Sequence, residues 1–273
     1  MSNNDHILLF ILIGIVALFV IIQRKTNKQT NKQTNTQTNK QTNNYEDIFN
    51  YSLMVHLHDH EPSQQRIQKV KKIYDEYEIP IQFMKATHWK YDKEELMTYP
   101  IDESSSDFKK RPGAYGLAGS LYKSLYKAYI QKWPYLLFLE DDAIPIPENK
   151  NEFHSKLRYI LNHLPDDGQN IYFLSTTIYC RKNVPENTWL QKKDYKIGIA
   201  GGTSVLFSKE FIHKIITKLK TSKINKAIDH YLYQEAPEAW FWTGDISDNG
   251  MFCGLYSQID CHCNQRISVM NEL

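Results

Sequence analysis

The chain has 273 residues and a formal net charge of +2, from 33 basic and 31 acidic side chains. This length accommodates one medium-sized domain with appendages. The near balance of charge argues against a dedicated nucleic-acid-binding protein, which would carry a basic stripe. The four cysteines show no paired CxxC spacing, so they do not indicate a redox compartment.

A short tail, residues 1–6, precedes an uncharged apolar run at residues 7–22, ILLFILIGIVALFVII. A bilayer core requires about 20 apolar residues, with a range of roughly 17–25, so this run suits a thin membrane. A secretory signal peptide would have a basic start and a small-residue cleavage site, and neither is present. The sequence therefore favours an uncleaved single-pass transmembrane anchor over a signal peptide.

Two signals disagree about which side of the membrane the rest of the chain occupies. Basic side chains at residues 24–28 follow the apolar run, and the positive-inside rule then leaves the following domain in the cytosol. The N-x-S sequon at residues 50–52 favours the lumenal side instead. The sequence thus predicts a membrane location through residues 7–22 and leaves the orientation open.

A polar segment at residues 23–44 follows the apolar run and contains the repeat TNKQ TNKQ TNTQ TNKQ at residues 26–41. It has no apolar side chains to bury, so it cannot form a core and is predicted to be a flexible tether. A period of four is too short for a solenoid repeat. The globular domain is therefore expected to occupy residues 45–273.

The globular domain is predicted to begin with a strand, a helix and a strand, at residues 51–57, 62–78 and 81–85. Apolar side chains within the middle segment recur at helical spacing, and Pro62 suits the first turn of that helix. A β-α-β unit of this kind predicts a parallel sheet. Residues 87–112 are polar and are predicted to form a loop.

The rest of the domain continues to alternate between helices and strands. We predict helices at 114–132, 151–163 and 208–220, and strands at 135–139, 171–175 and 198–207. Ser208 is a suitable N-cap for the last of these helices. The stretch from Trp240 onward is too irregular to assign. The alternation predicts a single α/β domain.

Three acidic residues directly follow the apolar segment YLLFL. This segment has the composition of a central strand covered on both faces. Ligands of open α/β sheets bind at the carboxyl ends of strands, where Glu140, Asp141 and Asp142 follow. Successive side chains of an extended chain alternate, so Glu140 and Asp142 are predicted to converge on one side. Two such carboxylates suit magnesium or manganese(II). The alternatives are an acidic surface turn and acids that cap a helix N-terminus.

Four segments of the domain occur in the order found in glycosyltransferase family 25, which includes lipooligosaccharide and collagen galactosyltransferases. These segments are SLMVHLHDHEPSQQRIQKV from Ser52, AYGLAGSLYKSLYKAYIQKWPYLLFLEDDA from Ala114, AGGTSVLFSKEFIHKII from Ala200 and KAIDHYL from Lys226. The LEDD element alone is common among transferases that use sugar nucleotides, whereas the ordered set is more specific. The chain therefore resembles this family over residues 51–233.

The resemblance implies a GT-A-like fold, in which helices flank a nucleotide-binding mixed sheet. It also implies inverting transfer of a hexose, galactose being favoured, from a UDP-sugar to a hydroxyl of a glycan or protein. A manganese(II) or magnesium ion would be held by Glu140 and Asp142. Asp141 would assist through the ion, a water molecule or the ribose.

The resemblance assigns roles to five further residues. Asp229 is expected to be the base that accepts the acceptor's proton, or an additional metal ligand. Arg66 and His230 are expected to contact the nucleotide, and Gly201 and Gly202 to allow close approach of donor or acceptor. The structural alternatives are a helix N-cap for Asp229, a solvated position for Arg66 and a bulge for the two glycines.

One departure from the family pattern leaves a non-catalytic alternative open. The family's Ser-His pair is replaced by Ser120 and Leu121, so the function of that histidine is lost or supplied elsewhere. A relative that binds nucleotide sugars or glycans without turnover is therefore a second hypothesis.

The histidine-rich segment HLHDH at residues 56–60 suggests a third hypothesis, a metal-dependent hydrolase. Its spacing is one residue shorter than the HxHxDH pattern of metallo-β-lactamase-like enzymes, and no later set of histidines completes it. Polar residues of the first βα loop are the simpler interpretation. His58 and Asp59 remain candidates to line the nucleotide site, because that loop follows the first strand.

Overall fold

A seven-stranded mixed sheet lies at the centre of the computed structural model, in the strand order β2-β1-β3-β9-β5-β10-β7. These strands are β1 (Ser52–His56), β2 (Phe83–Lys85), β3 (Tyr135–Glu140), β5 (Ile171–Phe173), β7 (Trp189–Gln191), β9 (Ser204–Ser208) and β10 (Trp240–Trp242). Two small antiparallel pairs join β4 (Ala143–Pro145) to β11 (Phe252–Gly254), and β6 (Thr177–Ile178) to β8 (Ile199–Ala200). The structure describes residues 45–58, 60–145, 149–175, 177–178, 185, 187–191, 199–200, 204–243 and 252–254.

The described residues contain α-helices on both faces of the sheet. They are α1 (Glu61–Glu76), α2 (Lys93–Met97), α3 (Ser106–Lys110), α4 (Pro112–Ile130), α5 (Lys150–Asn162), α6 (Lys209–Lys218) and α7 (Ile228–Glu235). Short 3-10 helices span Tyr45–Tyr51 and Asp166–Gly168. The predicted α/β class, with a mixed sheet flanked by helices, is confirmed.

The alternation of side chains along β3 divides the core into two layers. Leu136 and Phe138 pack in the layer that contains apolar residues of α4, α6 and α7. Leu137 and Leu139 pack in the opposite layer, with apolar residues of α1 and α5. All four side chains are fully buried, as expected for a central strand covered on both faces. Glu140 is the next residue on the α4 side of this alternation.

Strands β1, β2 and β3 are parallel neighbours, which confirms the β-α-β beginning. Val55 lies opposite Glu140, so these strands end close together at one edge of the sheet. The adjacent β9 runs antiparallel to β3, so the sheet as a whole is mixed. The loops that follow the three parallel strands therefore share one edge, the usual location of ligand sites in this fold class.

Three details differ from the sequence predictions. Residues 87–112 contain the short helices α2 and α3, because each helix buries one apolar side chain, Leu96 or Phe108. In α3 the cap Ser105 also accepts a hydrogen bond from the Phe108 amide. The single strand predicted at residues 198–207 is two separate strands, β8 and β9, with different partners. The stretch from Trp240 onward, which the sequence left unassigned, contributes strand β10. Its three aromatic residues show no alternation of apolar and polar side chains, so the sequence pattern did not predict this strand.

The predicted membrane anchor at residues 7–22 and the tether at 23–44 lie outside the described residues. No helix in the described part of the chain combines the length and hydrophobicity that a bilayer span requires. The anchor and the tether stay predictions.

Candidate functional site

A cleft of about 270 Å³ opens at the shared carboxyl edge of β1, β2 and β3. His56 at the end of β1 and Glu140 at the end of β3 line it, together with the following Asp141. The loop after β2 and the first turns of α4 supply the remaining walls. The site is thus built where three strand ends meet, which is the placement predicted for the acidic cluster.

Small residues on α4 let that helix approach the loop after β2. A Cβ atom added at Gly116 would lie 2.6 Å from the backbone oxygen of Thr87 and 3.1 Å from the backbone nitrogen of Trp89. Ser120, one turn along, accepts a hydrogen bond from the Thr87 amide at 2.8 Å and donates one to the Gly116 carbonyl at 3.0 Å. Ser120 therefore fixes the loop position. The next residue, Leu121, is buried in the core.

The two acids after Glu140 lie in a turn and not on the extended strand that the predicted alternation assumed, so the convergence of Glu140 and Asp142 stays a prediction. Strand β3 ends at Glu140, and Asp141 and Asp142 form a turn because β4 begins directly after them. Glu140 and Asp141 line the cleft, whereas Asp142 is not among its lining residues. A turn reorients side chains that would alternate on a strand, so spacing alone could not predict their directions.

Asp141 is held by α1 through an ion pair and a hydroxyl group. Arg66 donates from Nε to Oδ1 at 3.2 Å and from Nη2 to Oδ2 at 3.0 Å. Ser63 also donates its hydroxyl to Oδ2. Arg66 is therefore neither a solvated helix residue nor distant from the acids; it lines the cleft beside them. Its predicted contact with a nucleotide stays a prediction.

The other two carboxyl groups occupy an environment that disfavours their charged forms. Burial, followed by repulsion from Asp142, Asp141 and Asp229, raises the pKa of Glu140 to about 8. Burial and repulsion from Asp141 raise the pKa of Asp142 to about 6, although Arg66 acts in the opposite direction. One guanidinium group thus stands beside three acids.

Asp142 also has an unsatisfied oxygen atom. Its Oδ1 is buried and has no hydrogen-bond partner among the described residues. The hydroxyl of Tyr74 on α1, also buried, likewise has no partner among them. Burial and the charge of Asp142 raise the pKa of this tyrosine. An unpaired carboxylate oxygen in such a setting is costly unless a cation or a proton binds it.

These observations fit a divalent cation bound by few protein ligands. Glu140 and Asp142 offer hard oxygen ligands, and a cation would relieve both their repulsion and the unsatisfied Oδ1 of Asp142. Within the residues that the structure describes, no group of three or more His, Cys, Asp or Glu side chains could hold a metal ion. Water and substrate oxygens would have to complete the coordination, as is usual for magnesium.

Asp229 lies on the first turn of α7, close enough to Glu140 to raise its pKa. The N-cap of this helix is Ala227, so the alternative role of Asp229 as the cap is wrong. The Asp229 side chain is 22% exposed and its Oδ1 accepts the His230 amide hydrogen bond at 2.8 Å. The fold thus brings Asp229 near the acidic cluster across a sequence separation of almost ninety residues.

The position of α7 is set partly by α3. Asp107 accepts a hydrogen bond from the backbone nitrogen of Ala227 at 2.6 Å and pairs with Arg111. The hydrogen bond with Asp107 mainly raises the pKa of Arg111, and the charge of Asp229 adds to this, so Asp229 and Arg111 face the same region. His230 has a side chain that is 54% exposed and places its Nε2 3.9 Å from Asp229 Oδ2. Its contact with a nucleotide stays a prediction.

Of the histidines in HLHDH, His56 is the one that lines the cleft. Its Nδ1 is buried without a hydrogen-bond partner in the described part of the chain. The His58 ring packs against it with centroids 4.0 Å apart. Burial, followed by the charge of His58, lowers the pKa of His56. Asp59 lies outside the described residues, as do Gly201 and Gly202.

Within the loop that follows β2, sequence reasoning named no individual site residue. Thr87, His88 and Trp89 line the cleft opposite Gly116. The available signals were the position of this loop after a parallel strand and the small residues Gly116 and Ser120 at helical spacing. Both signals are local, and neither indicates that the loop and the helix come together.

No protein-family model matches the chain, and no curated protein matches it. Among solved structures, it is similar to a glycosyltransferase involved in the glycosylation of the major capsid of PBCV-1. That match has 13% identity and a TM-score of 0.39, and covers 81% of this chain and 98% of the other. Mouse xyloside xylosyltransferase 1, apo form, matches with 15% identity and a TM-score of 0.34, over 72% and 86% of the two chains. Likenesses at this level do not establish a shared fold or activity.

Proposed function

We propose that this protein is a metal-dependent, inverting glycosyltransferase with a GT-A-like fold, anchored in a membrane through residues 7–22. Its donor would be a UDP-sugar, with galactose favoured, and its acceptor a hydroxyl group of a glycan or a protein. The observation that carries the proposal is the acidic cluster, with an unpaired Asp142 oxygen, beside a cleft at the carboxyl ends of three parallel strands. The resemblance of four ordered segments to glycosyltransferase family 25 supports it.

The three acids at the end of β3 and Arg66 have distinct roles in this proposal. Glu140 and Asp142 would hold manganese(II) or magnesium, which would neutralise negative charge on the departing UDP. Arg66 would keep Asp141 in position and add a positive charge near the diphosphate. These residues would bind and orient the donor with its anomeric carbon open to the acceptor.

The chemical step would form one bond and break another at the anomeric carbon. The acceptor oxygen would attack from the face opposite the UDP, and the bond between this carbon and the diphosphate oxygen would break. Asp229 would accept the proton of the attacking hydroxyl as general base. UDP would leave with the electron pair of the broken bond, and the anomeric configuration would be inverted.

The departure from the family's Ser-His pair does not leave this cleft without polar groups. Ser120 has a structural role in positioning the loop after β2, and Leu121 packs in the core. His56 lines the cleft from β1 and has a ring nitrogen without a partner among the described residues. We propose His56 as the residue that supplies an imidazole to the site in place of the missing one.

Isothermal titration calorimetry on the full-length protein in mild detergent would test the proposal. A panel of nucleotide sugars would be titrated with and without manganese(II), followed by product analysis with candidate acceptors. We expect one UDP-sugar to bind only with the metal, and Asp142→Ala to abolish this binding. Asp75→Ala, at an exposed acidic position on α1, is the matched control and should bind normally.

The alternatives predict different results in the same experiment. Metal-dependent binding of a UDP-sugar without turnover would identify the non-catalytic relative. Zinc in the purified protein, with phosphoester hydrolysis that needs no sugar nucleotide, would identify the hydrolase. If no nucleotide sugar binds with any metal, the proposed function is wrong.

A further inference from the structure

Three aromatic rings pack against one another where the loop after β2 borders the cleft. His88 and Trp89 line the cleft, and Tyr91 follows them. The His88 ring lies 6.1 Å from the Trp89 ring at an interplanar angle of 20°, and 4.5 Å from the Tyr91 ring at 31°. Trp89 is 42% exposed and Tyr91 is 71% exposed. We call these three residues the aromatic platform.

The loop that carries the aromatic platform is rigidly held. The His88 amide donates to Asp92 Oδ2 at 2.8 Å, and the Asp92 amide donates to the His88 carbonyl at 3.0 Å. The amides of Lys90 and Tyr91 both donate to His88 Nδ1, at 3.0 and 3.3 Å. The preceding residues are fixed against α4 by the Thr87 amide bond to Ser120. Large exposed rings are therefore presented on an ordered backbone, which reduces the entropy lost on binding.

The chemistry of the aromatic platform differs from that of the acidic end of the cleft. Because Nδ1 of His88 accepts two backbone hydrogen bonds, the proton of the neutral ring resides on Nε2, which is left as a donor. Burial is the main cause of the lowered pKa of His88, and a lower pKa favours the neutral ring. The aromatic platform thus offers flat apolar faces and a hydrogen-bond donor, and no formal charge on its own rings. The rings themselves supply no cation for a diphosphate. Lys90 Nζ lies over the Tyr91 ring, 5.5 Å from its centroid, so one cation borders the aromatic platform.

A pyranose ring has the complementary chemistry. One of its faces presents C–H groups that pack against a flat aromatic ring, and its edge presents hydroxyl groups that accept and donate hydrogen bonds. Exposed tryptophan and tyrosine combine apolar area with polar handles and lose little side-chain entropy on binding. The openness of the aromatic platform also matters, because a sugar at the end of a larger glycan must leave room for the rest of that glycan to reach solvent.

We propose that the aromatic platform, His88, Trp89 and Tyr91, binds the acceptor by stacking a pyranose ring against its aromatic faces. This inference rests on the proposed function, since only a transferase needs an acceptor beside the donor site. It assigns the acceptor to the sugar class and places it at the β2 side of the cleft. The donor's charged groups would occupy the side formed by Glu140, Asp141 and Arg66.

The test follows the indole signals of the five tryptophans in the full-length protein, labelled with ¹⁵N. Trp89→Phe identifies the Trp89 signal. The probes are the methyl β-glycosides of galactose, glucose and N-acetylglucosamine, and separately UDP with manganese(II). We expect at least one glycoside to shift the Trp89 signal, with an affinity about tenfold weaker in Trp89→Ala and severalfold weaker in Tyr91→Ala.

A matched control and a second variant keep the result interpretable. Tyr126 is 46% exposed on α4 and does not line the cleft, so Tyr126→Ala should leave glycoside affinity unchanged. If Trp89→Ala fails to fold, Tyr91→Ala at its highly exposed position decides the question. The proposal is overturned if no glycoside shifts the Trp89 signal. It is equally overturned if the affinity for UDP, and not that for glycosides, falls in Trp89→Ala, because the rings would then bind the donor base.

Failure of this proposal differs from failure of the proposed function. The function depends on metal-dependent binding of a UDP-sugar that is lost in Asp142→Ala, and the aromatic platform makes no contribution to that result. Glycoside binding without nucleotide binding would show that the aromatic platform binds sugars, but it would reject the transferase and with it the acceptor role. Nucleotide binding without glycoside binding would support the donor site alone.

Discussion

Arg66 on α1 forms two hydrogen bonds with Asp141 in the turn after β3, Nε to Oδ1 at 3.2 Å and Nη2 to Oδ2 at 3.0 Å. The pair is partly buried, with side-chain exposures of 23% and 15%. Because the guanidinium group is planar, it fixes the orientation of the carboxylate as well as compensating its charge. This contact links the first helix of the domain to the acidic cluster.

Arg66→Lys is expected to weaken the acidic cluster although it preserves the charge. An ammonium group cannot make the paired hydrogen bonds, so Asp141 loses its fixed orientation. We expect the free energy of unfolding to fall by about 1–2 kcal/mol and the affinity for a metal–nucleotide complex to decrease. Chemical denaturation and calorimetry would measure the two effects. Unchanged stability and unchanged nucleotide affinity in Arg66→Lys would contradict the role given to this pair.

Gly116→Ala and Gly113→Ala should have opposite effects, although both lie in the first turns of α4. A Cβ atom at Gly116 would be 2.6 Å from the Thr87 backbone oxygen, so the loop must move. A Cβ atom at Gly113 meets no heavy atom within 4 Å. We expect Gly116→Ala to cost about 1–3 kcal/mol of stability through overpacking, and Gly113→Ala to be neutral or slightly stabilising. Thermal unfolding of the two variants would measure this difference, and equal melting temperatures would refute it.

Asp142→Asn is expected to stabilise the metal-free protein and to abolish its response to metal. At pH 7 the wild-type carboxylate is ionised, partly buried and short of a partner, so neutralising it should add about 1 kcal/mol. Manganese(II) at about 100 times its dissociation constant should stabilise the wild type by about 2.7 kcal/mol. Differential scanning calorimetry with and without metal checks both effects. A variant that is less stable without metal, or that still responds to metal, would argue against Asp142 as a ligand.

Asp92 should contribute stability that disappears in acid. The charged carboxylate of Asp92 is stabilised mainly by the hydrogen bond from the His88 amide, and also by Lys85. Together these interactions lower the pKa of Asp92 below its usual range. Because the pKa of Asp92 is lower in the folded protein than in the unfolded chain, its full stabilising contribution is present above about pH 4, the pKa of the unfolded chain. This contribution is lost as the pH falls through the lower pKa of the folded protein. We expect Asp92→Asn to be about 1 kcal/mol less stable than wild type at pH 7.

The measurement is a series of urea denaturation curves for wild type and Asp92→Asn from pH 7 down to the acid limit of folding. The difference in free energy of unfolding should be constant above pH 5 and should narrow below pH 4, near the usual pKa of an aspartate. Asp75→Asn, at an exposed position on α1, serves as the control and should show no such narrowing. A difference that does not change with pH would mean that the charge of Asp92 has no part in holding the loop.

Several elements could be predicted because their causes are local. Helix α6 follows an N-cap, Ser208, whose hydroxyl accepts the Phe211 amide hydrogen bond, and its apolar residues recur at helical spacing. Strand β3 is an unbroken apolar run, and burial on both faces of the sheet requires that composition. Cap chemistry and hydrophobic period are properties of neighbouring residues, so they are visible in the sequence.

The short helices α2 and α3 and the strand β10 escaped prediction for a physical reason. Helices of five residues are marginal without tertiary contacts, since helix nucleation is costly. Strand β10 consists of three consecutive aromatic residues, and it forms a strand because it pairs with β5 and β7. Their stability comes from packing against distant parts of the chain, which a local pattern does not contain.

For the candidate site, the sequence is sufficient to predict that acids follow a central strand, and hence which edge of the sheet they occupy. Where each acid points, and which groups face it, depends on how the chain folds. Asp141 and Asp142 form the turn after Glu140, and Arg66, 75 residues before Asp141, pairs with Asp141. The approach of Gly116 to Thr87 likewise depends on how α4 packs on the sheet. Such contacts join residues that are distant along the chain, and only folding brings them together.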